Sequence, residues 1–249
     1  MNALNLSLII FAVVFGSSLL GILLNSRLPD RHLAPDSKDV VRLAMGLVAT
    51  MVALALGLLI GSAKSFYDTQ NTEIAQLGAN AVLLDRLLAH YGPEANDARR
   101  SLRAAVSGFS HLAQPQNGGA QSTAPGFRSE ALYDAVQDLA PKNDNQRWLQ
   151  SQALGIAIQL GQTRWLMLEQ RAVPVPAILL GVLVFWLVAL FASFGMFAQP
   201  NGTLIAGLFV SALAVCAAIF LIIEMYHPYS GLIQVSDAPI RAALAQLGH

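Results

Sequence analysis

Four stretches of the chain, Leu4 to Leu24, Leu43 to Ile60, Val175 to Ala198 and Leu204 to Ile223, carry no charged side chain. They are 21, 18, 24 and 20 residues long. A helix needs roughly 20 residues to cross about 30 Å of hydrocarbon, so each reads as a membrane span. All 30 charged residues fall in the other 166 positions, about 18% of them, near the share of ordinary soluble segments. The 249 residues are 55% hydrophobic and 12% charged overall, which excludes a disordered chain. The predicted fold class is therefore all-α: a polytopic membrane protein with four transmembrane helices and a helical water-facing domain between spans two and three. Its expected divisions are residues 1–61 with spans one and two, 62–173 as the water-facing bundle, 174–224 with spans three and four, and 225–249 as a C-terminal segment.

A cleaved leader needs a basic start, a short apolar run and a small-residue cleavage site. Met1-Asn2-Ala3 has no cation and Asn25-Ser26-Arg27-Leu28-Pro29 is no cleavage site, so the first segment is read as a retained span. Orientation by the excess of Lys and Arg near span ends is a tie. Arg27, Arg31, Lys38 and Arg42 stand on one side, and Lys64, Arg164, Arg171 and Arg241 on the other. The flanks of the first span alone put the loop after it in the cytoplasm and the large domain outside. Lone Cys216 falls inside the fourth span and is read as packing, with no disulfide framework.

Between the second and third spans the pattern turns helical. Ile74, Leu77, Ala81, Leu84, Leu88 and Tyr91 alternate steps of three and four, the spacing that lines one helix face against a neighbour. Gly92-Pro93 ends that run, and Ala95, Ala98, Leu102, Ala105, Phe109 and Leu112 repeat it, predicting an antiparallel helix pair. No Gly or Pro lies between Gly61 and Ile74, so span two is expected to continue to Tyr91 as one helix. Gln114 to Gly126, rich in Pro and Gly, reads as a loop. A short helix around Leu132, Val136 and Leu139 is expected to end at Pro141. A longer one carrying Leu149, Ala153, Ile156, Leu160 and Met167 breaks at Pro174 and Pro176. Four such helices facing inward make a bundle.

Chemistry is sparse. The five histidines have no His or Cys three or four residues away, so no metal or cofactor site is read. The segment Gly57 to Ser65 has the wrong glycine-to-lysine spacing for a phosphate loop. Asn201-Gly202-Thr203 fits a glycosylation pattern but is read as a tight turn between adjacent spans. The spans hold no ionisable side chain, unlike most ion-coupled carriers, and no catalytic pairing of side chains is readable, so no enzyme is expected. Fifteen basic residues balance fifteen acidic ones, which gives no reason to expect a nucleic-acid partner.

What the spans do contain is small residues in register. Ala49, Ala53, Gly57 and Gly61 recur every four residues in span two, with Gly202, Ala206, Ala214 and Ala218 similarly placed in span four. Such faces let backbones approach closely, within one subunit or between subunits. Opposite them on span two lie Val48, Met51, Ala55 and Leu58, which around a shared axis would form an apolar constriction. Arg42 and Lys64 would then stand at the mouths, or serve as interfacial anchors.

Several segments together resemble one family. They are Gly46-Leu47-Val48-Ala49-Thr50 running through Gly57-Leu58-Leu59 to Ser62-Ala63-Lys64-Ser65-Phe66-Tyr67-Asp68, then Leu83-Leu84-Asp85-Arg86 and Tyr91-Gly92-Pro93-Glu94-Ala95. Thr163-Arg164-Trp165-Leu166 with Glu169-Gln170, and Pro228 to Ile233 with Val235-Ser236 and Pro239-Ile240-Arg241, complete the set. These are similar to the bacterial bestrophin-like membrane proteins, a family distantly akin to the bestrophin anion channels. The kinship implies a pentameric channel with four spans per subunit, the second lining the neck, and termini and helical domains in the cytoplasm. The acidic calcium-binding cluster of animal bestrophins and their aromatic neck have no match here.

The expectation is a homo-oligomer, a pentamer by the resemblance, in the lipid bilayer of a bacterial inner membrane. It would pass inorganic ions, chloride among them, through a passive pore lined by span two. The alternative is a non-conducting scaffold or sensor whose helical domain binds a protein partner.

Overall fold

The computed structural model describes residues 3–25, 35–113, 125–170, 176–198, 201–227 and 231–247. Arg27, Arg31, Arg171, Pro174, Pro228 and most of the Pro/Gly-rich segment fall outside them, and the side chains of Lys38 and Leu112 are likewise not described. Among the described residues every regular element is a helix. They are α1 (Ala3–Asn25), α2 (Pro35–Tyr91), a 3-10 turn (Pro93–Ala95), α3 (Asn96–Ala113), α4 (Pro125–Gln137), α5 (Asp144–Gln170), α6 (Ala177–Phe197), α7 (Gly202–Met225) and α8 (Ala238–Gln246). The chain is an all-α membrane protein: α1, α2, α6 and α7 are each long and apolar enough to cross a bilayer. Span two and the stretch after it are one 57-residue helix ending at Tyr91, as the lack of Gly and Pro between Gly61 and Ile74 predicted.

Two compact units divide the chain, one of residues 1–66 and 174–226, the other of 67–173 and 227–249. In the first, α1 packs along α6 and against α7. The α1–α6 crossing is set by glycine. A Cβ at Gly21 would run into the Ala192 carbonyl, and one at Gly195 into the Ser18 carbonyl, so only bare backbone fits on either side. In this unit it is α1 and α6 that meet through glycine. Asn25 Nδ2 donates to the Ala198 carbonyl at 3.3 Å, aligning the two helix ends. Phe11 and Phe15 meet the Phe209 edge at 5.4 and 5.5 Å, tying α1 to α7. Asn201 is not part of a tight turn with Gly202 and Thr203. It caps α7, its Oδ1 accepting from Leu204 N at 2.6 Å, which satisfies an amide left orphaned at the helix start.

The second unit is a bundle of the later part of α2 with α3, α4, α5 and α8. Ile74, Leu77, Ala81, Leu84, Leu88 and Tyr91 are all buried, as are Ala95, Ala98, Leu102, Ala105 and Phe109 facing them. Leu132, Val136, Leu149, Ala153 and Leu160 complete the core from α4 and α5. The short helix stops at Gln137 rather than at Pro141, and Leu139 is buried just beyond it. Gln150 of α5 explains the stop: its amide nitrogen lies 2.8 to 3.1 Å from the carbonyls of Val136, Gln137 and Leu139, taking up acceptors that a helix end leaves open. The C-terminal segment joins the same core through Val235, Ile240, Ala243 and Leu247. Gly78 makes this docking possible, because a Cβ there would sit 2.8 Å from the Pro239 carbonyl oxygen.

Ion pairs link the elements of this unit. Asp85, nearly fully buried, receives both Nε (2.8 Å) and Nη2 (2.9 Å) of Arg99 across the α2–α3 hairpin. That side-chain hydrogen bonding raises the Arg99 pKa above its usual value. Lys142 Nζ reaches Glu94 Oε1 at 2.6 Å at the exposed end of the hairpin. The bond lowers the Glu94 carboxyl below its ordinary range and raises the Lys142 amine above its own.

Candidate functional site

The span portion of α2 is the candidate site, and its surroundings follow from which residues turn inward. Val52, Leu59 and Ala63 are buried, Met45, Val48, Ala49, Ala55 and Leu56 are half-buried beside them, and the rest of the turn is open. Near the end of the span, α2 is held to α7: Ser62 and Tyr226 share a hydrogen bond of 3.1 Å, and the Phe66 ring stacks on the Tyr226 ring at 5.4 Å. Only 11% of the most apolar window of α2 is buried within the chain, against 28% to 33% for α1, α6 and α7. The structure leaves α2 the least enclosed of the four.

Against that geometry the predicted residues separate into groups. Met51 and Leu58 are exposed, at 49% and 68%, while Val48 and Ala55 stand at the border of the inward strip, so the four form one flank of α2. Ala53, Gly57 and Gly61 are exposed on another flank, with Ala49 half-buried at its start. An added Cβ at Gly57 or Gly61 would meet nothing within 4 Å. The corresponding residues of α7, Gly202, Ala206 and Ala214, also face outward.

Arg42 and Lys64 do not join the apolar flank. Nine residues is about two and a half turns. Arg42 precedes Met51 by nine and Lys64 follows Ala55 by nine, so each cation stands on the side of α2 away from that flank. Helical arithmetic alone carries this signal. Other polar residues near the ends of the spans emerge only from packing. Glu224, just beyond the fourth apolar stretch, lies inside the last turn of α7 and is buried. In the second unit Gln70 is fully buried on the inward strip of α2, and Arg164 is buried with its guanidinium 5.4 Å from the Phe109 ring centre. Gln70 was visible as a polar residue in phase with the apolar strip, four residues before Ile74.

A family model for the bestrophin-like domain matches residues 11–240, nearly the whole chain, from within the first span to beyond the fourth. The chain belongs to the bestrophin-like family. Solved structures agree on the fold of this bestrophin-like chain. One variant of a bacterial bestrophin homologue from Klebsiella pneumoniae superposes with a TM-score of 0.70 at 14% identity, covering 96% of this chain and 97% of that one. A second variant gives 0.71 at 12% identity, with 96% of each chain covered. A further structure, described as a membrane protein, gives 0.69 at 13% identity over 97% of each chain. No curated protein matches by sequence. The sequence resemblance is thus correct at the level of family and fold, with four spans and a helical insertion in the same chain.

Proposed function

We propose that this bestrophin-like chain assembles as a homo-oligomer, a pentamer by family kinship, around α2 and passes inorganic ions passively. Val48, Met51, Ala55 and Leu58 form its constriction. The observation that carries the reading is the exposure of α2. Lipid covers any apolar side chain, but open glycines spaced four apart favour the approach of another helix, and Gly57 and Gly61 have open space above them. A partner helix on that flank leaves Met51 and Leu58 free to face an axis, where an uncharged ring gates by dewetting. Anions are the ion class that the kinship favours. The same kinship supports a bacterial inner membrane as its site, with the helical unit on the cytoplasmic side. Arg42 and Lys64 stand beyond the two ends of the constriction, at its mouths along α2 and out of phase with the ring itself.

Conductance of the purified chain in planar bilayers tests the proposal. Met51→Trp and Leu58→Trp are expected to block current while leaving the assembly intact, and Ala53→Leu or Gly57→Leu to reduce the assembled mass. A folded oligomer that never conducts at any salt or pH overturns the pore. One observation favours a second reading, a scaffold: α5 exposes Trp148, Trp165 and Leu166, at 56%, 64% and 50%, on the helical unit. Large exposed aromatics are common anchors for protein partners, and recovery of one stable partner from native membranes by the wild type, lost in Trp165→Ser, is the result that reading requires.

A further inference from the structure

A groove of about 520 Å³ opens in the first unit between the start of α2, the end of α6 and the first turns of α7. Its walls are Gly46 and Ala49 of α2, Phe194 and Phe197 of α6, and Leu208 of α7, with Arg42 at one end. The volume lies within the range of ligand pockets, about 300 to 1,000 Å³. Among the described residues none closes on its α2 wall: a Cβ built at Gly46 would find no atom within 4 Å.

Arg42 fixes the level of that end. It is the last charge before 21 uncharged residues, Leu43 to Ala63, so its guanidinium stands where hydrocarbon gives way to headgroups. The ends of α6 and the start of α7 lie at the same level, since Phe197 and Leu204 both line the groove with Arg42. Below the cation the lining is apolar for about two helical turns of α2, from Arg42 to Ala49. A cation above an apolar slot complements one kind of molecule, an anionic head on a hydrocarbon chain. Asp39, one turn earlier, lies 3.5 Å from Arg42 with both side chains well exposed. Such a surface pair is weak, and a phosphate, which an arginine binds with two parallel hydrogen bonds, displaces it.

We propose that this groove holds one acyl chain of an anionic phospholipid of the surrounding bilayer, with its phosphate on the Arg42 guanidinium. The site is independent of conduction and stands whether or not α2 lines a pore. It gives Arg42 a role on the side of α2 that the constriction does not use.

Native mass spectrometry of the purified full chain tests it, with phosphatidylglycerol, phosphatidylethanolamine and inorganic phosphate as separate probes. The wild type is expected to retain phosphatidylglycerol about fivefold more strongly than phosphatidylethanolamine, the contribution of one cation near a membrane surface. Arg42→Gln brings the two lipids to parity. Gly46→Leu, which grows into open space and leaves the helical content unchanged, removes retention of both. Retention by Arg42→Gln equal to that of the wild type overturns the proposal. So does full phosphatidylglycerol binding by Gly46→Leu, or its displacement by inorganic phosphate at equal concentration, because either result means that the cation binds without the groove. Dissociation of the oligomer in Gly46→Leu, with no lipid on the wild type, also overturns it and assigns the groove to a second copy.

Discussion

The two units are built from the same helix-forming chain under opposite rules. In the bundle, burial sorts most residues by polarity: Leu77, Leu84 and Leu102 are fully enclosed, Gln70 and Arg164 are exceptions, and the buried carboxylate of Asp85 meets an arginine. In the span unit, apolar side chains point both ways, Leu187 inward and Phe185 outward, so hydrophobicity does not decide which face packs. Backbone proximity decides instead, through Gly21 and Gly195. The contrast teaches that a membrane unit is specified by what is missing from its contact faces, and a water-facing unit by what fills them.

That contrast can be broken by substitution. The largest effect belongs to the bundle: Arg99→Ala leaves Asp85 enclosed without its partner and is expected to cost about 3 kcal/mol in denaturant unfolding of that unit, with much of the loss recovered when Asp85→Leu is added. A silent Arg99→Ala means that water reaches Asp85 and the bundle is looser than its packing. Next comes the span unit. Gly195→Ala adds a single methyl against the Ser18 carbonyl and is expected to lower stability by about 2 kcal/mol, whereas Gly16→Ala, with nothing within 4 Å, is neutral in the same detergent melts. Equal effects at the two glycines remove the distinction drawn between contact and lipid faces. Smaller again for the subunit itself, Gly61→Leu is expected to change its melting by less than about 0.5 kcal/mol while lowering the mass of the assembled complex in detergent.

The smallest effect is a pH dependence. Glu94 has a lowered pKa, so its contribution to the bundle is present above the ordinary carboxylate range and disappears as pH falls through the lowered value. Lys142 has a raised one, so its share is present below the ordinary amine range and disappears as pH rises through the raised value. Glu94→Gln should therefore flatten the acid side of the melting-temperature profile and converge with the wild type at low pH. Divergence that grows on acidification refutes the assignment.

The parts of this architecture that repeat were readable from the residues. Charge-free runs announce spans because one ionisable group in hydrocarbon is costly, and the three-four stagger from Ile74 to Tyr91 announces a packed helix because each inward residue recurs once per turn. Contacts between distant segments were not. Gly21 and Gly195 are two glycines among 19, and nothing local marks them as the pair that touches, while the more regular stripes in α2 and α7 face away from their own subunit. The end of α4 at Gln137 is not marked locally, because Gln150, thirteen residues on, takes up its final carbonyls, whereas the stop that the sequence shows nearby is Pro141. That Arg42 and Lys64 lie out of phase with Met51 and Leu58 follows from a count of turns.

The α1–α6 crossing has a consequence for how the chain is made. Ser18 and Gly195 meet although α2, α3, α4 and α5 are synthesised between them. At about 5 to 20 residues per second, roughly 10 to 35 s pass before the second partner leaves the ribosome. Throughout that interval α1 lacks its main neighbour and must stay in the bilayer by its own hydropathy. Its 23 residues without a charge are suited to that wait, and a polar substitution on its outward face, harmless to the finished packing, would act during biogenesis by letting α1 slip out before α6 arrives.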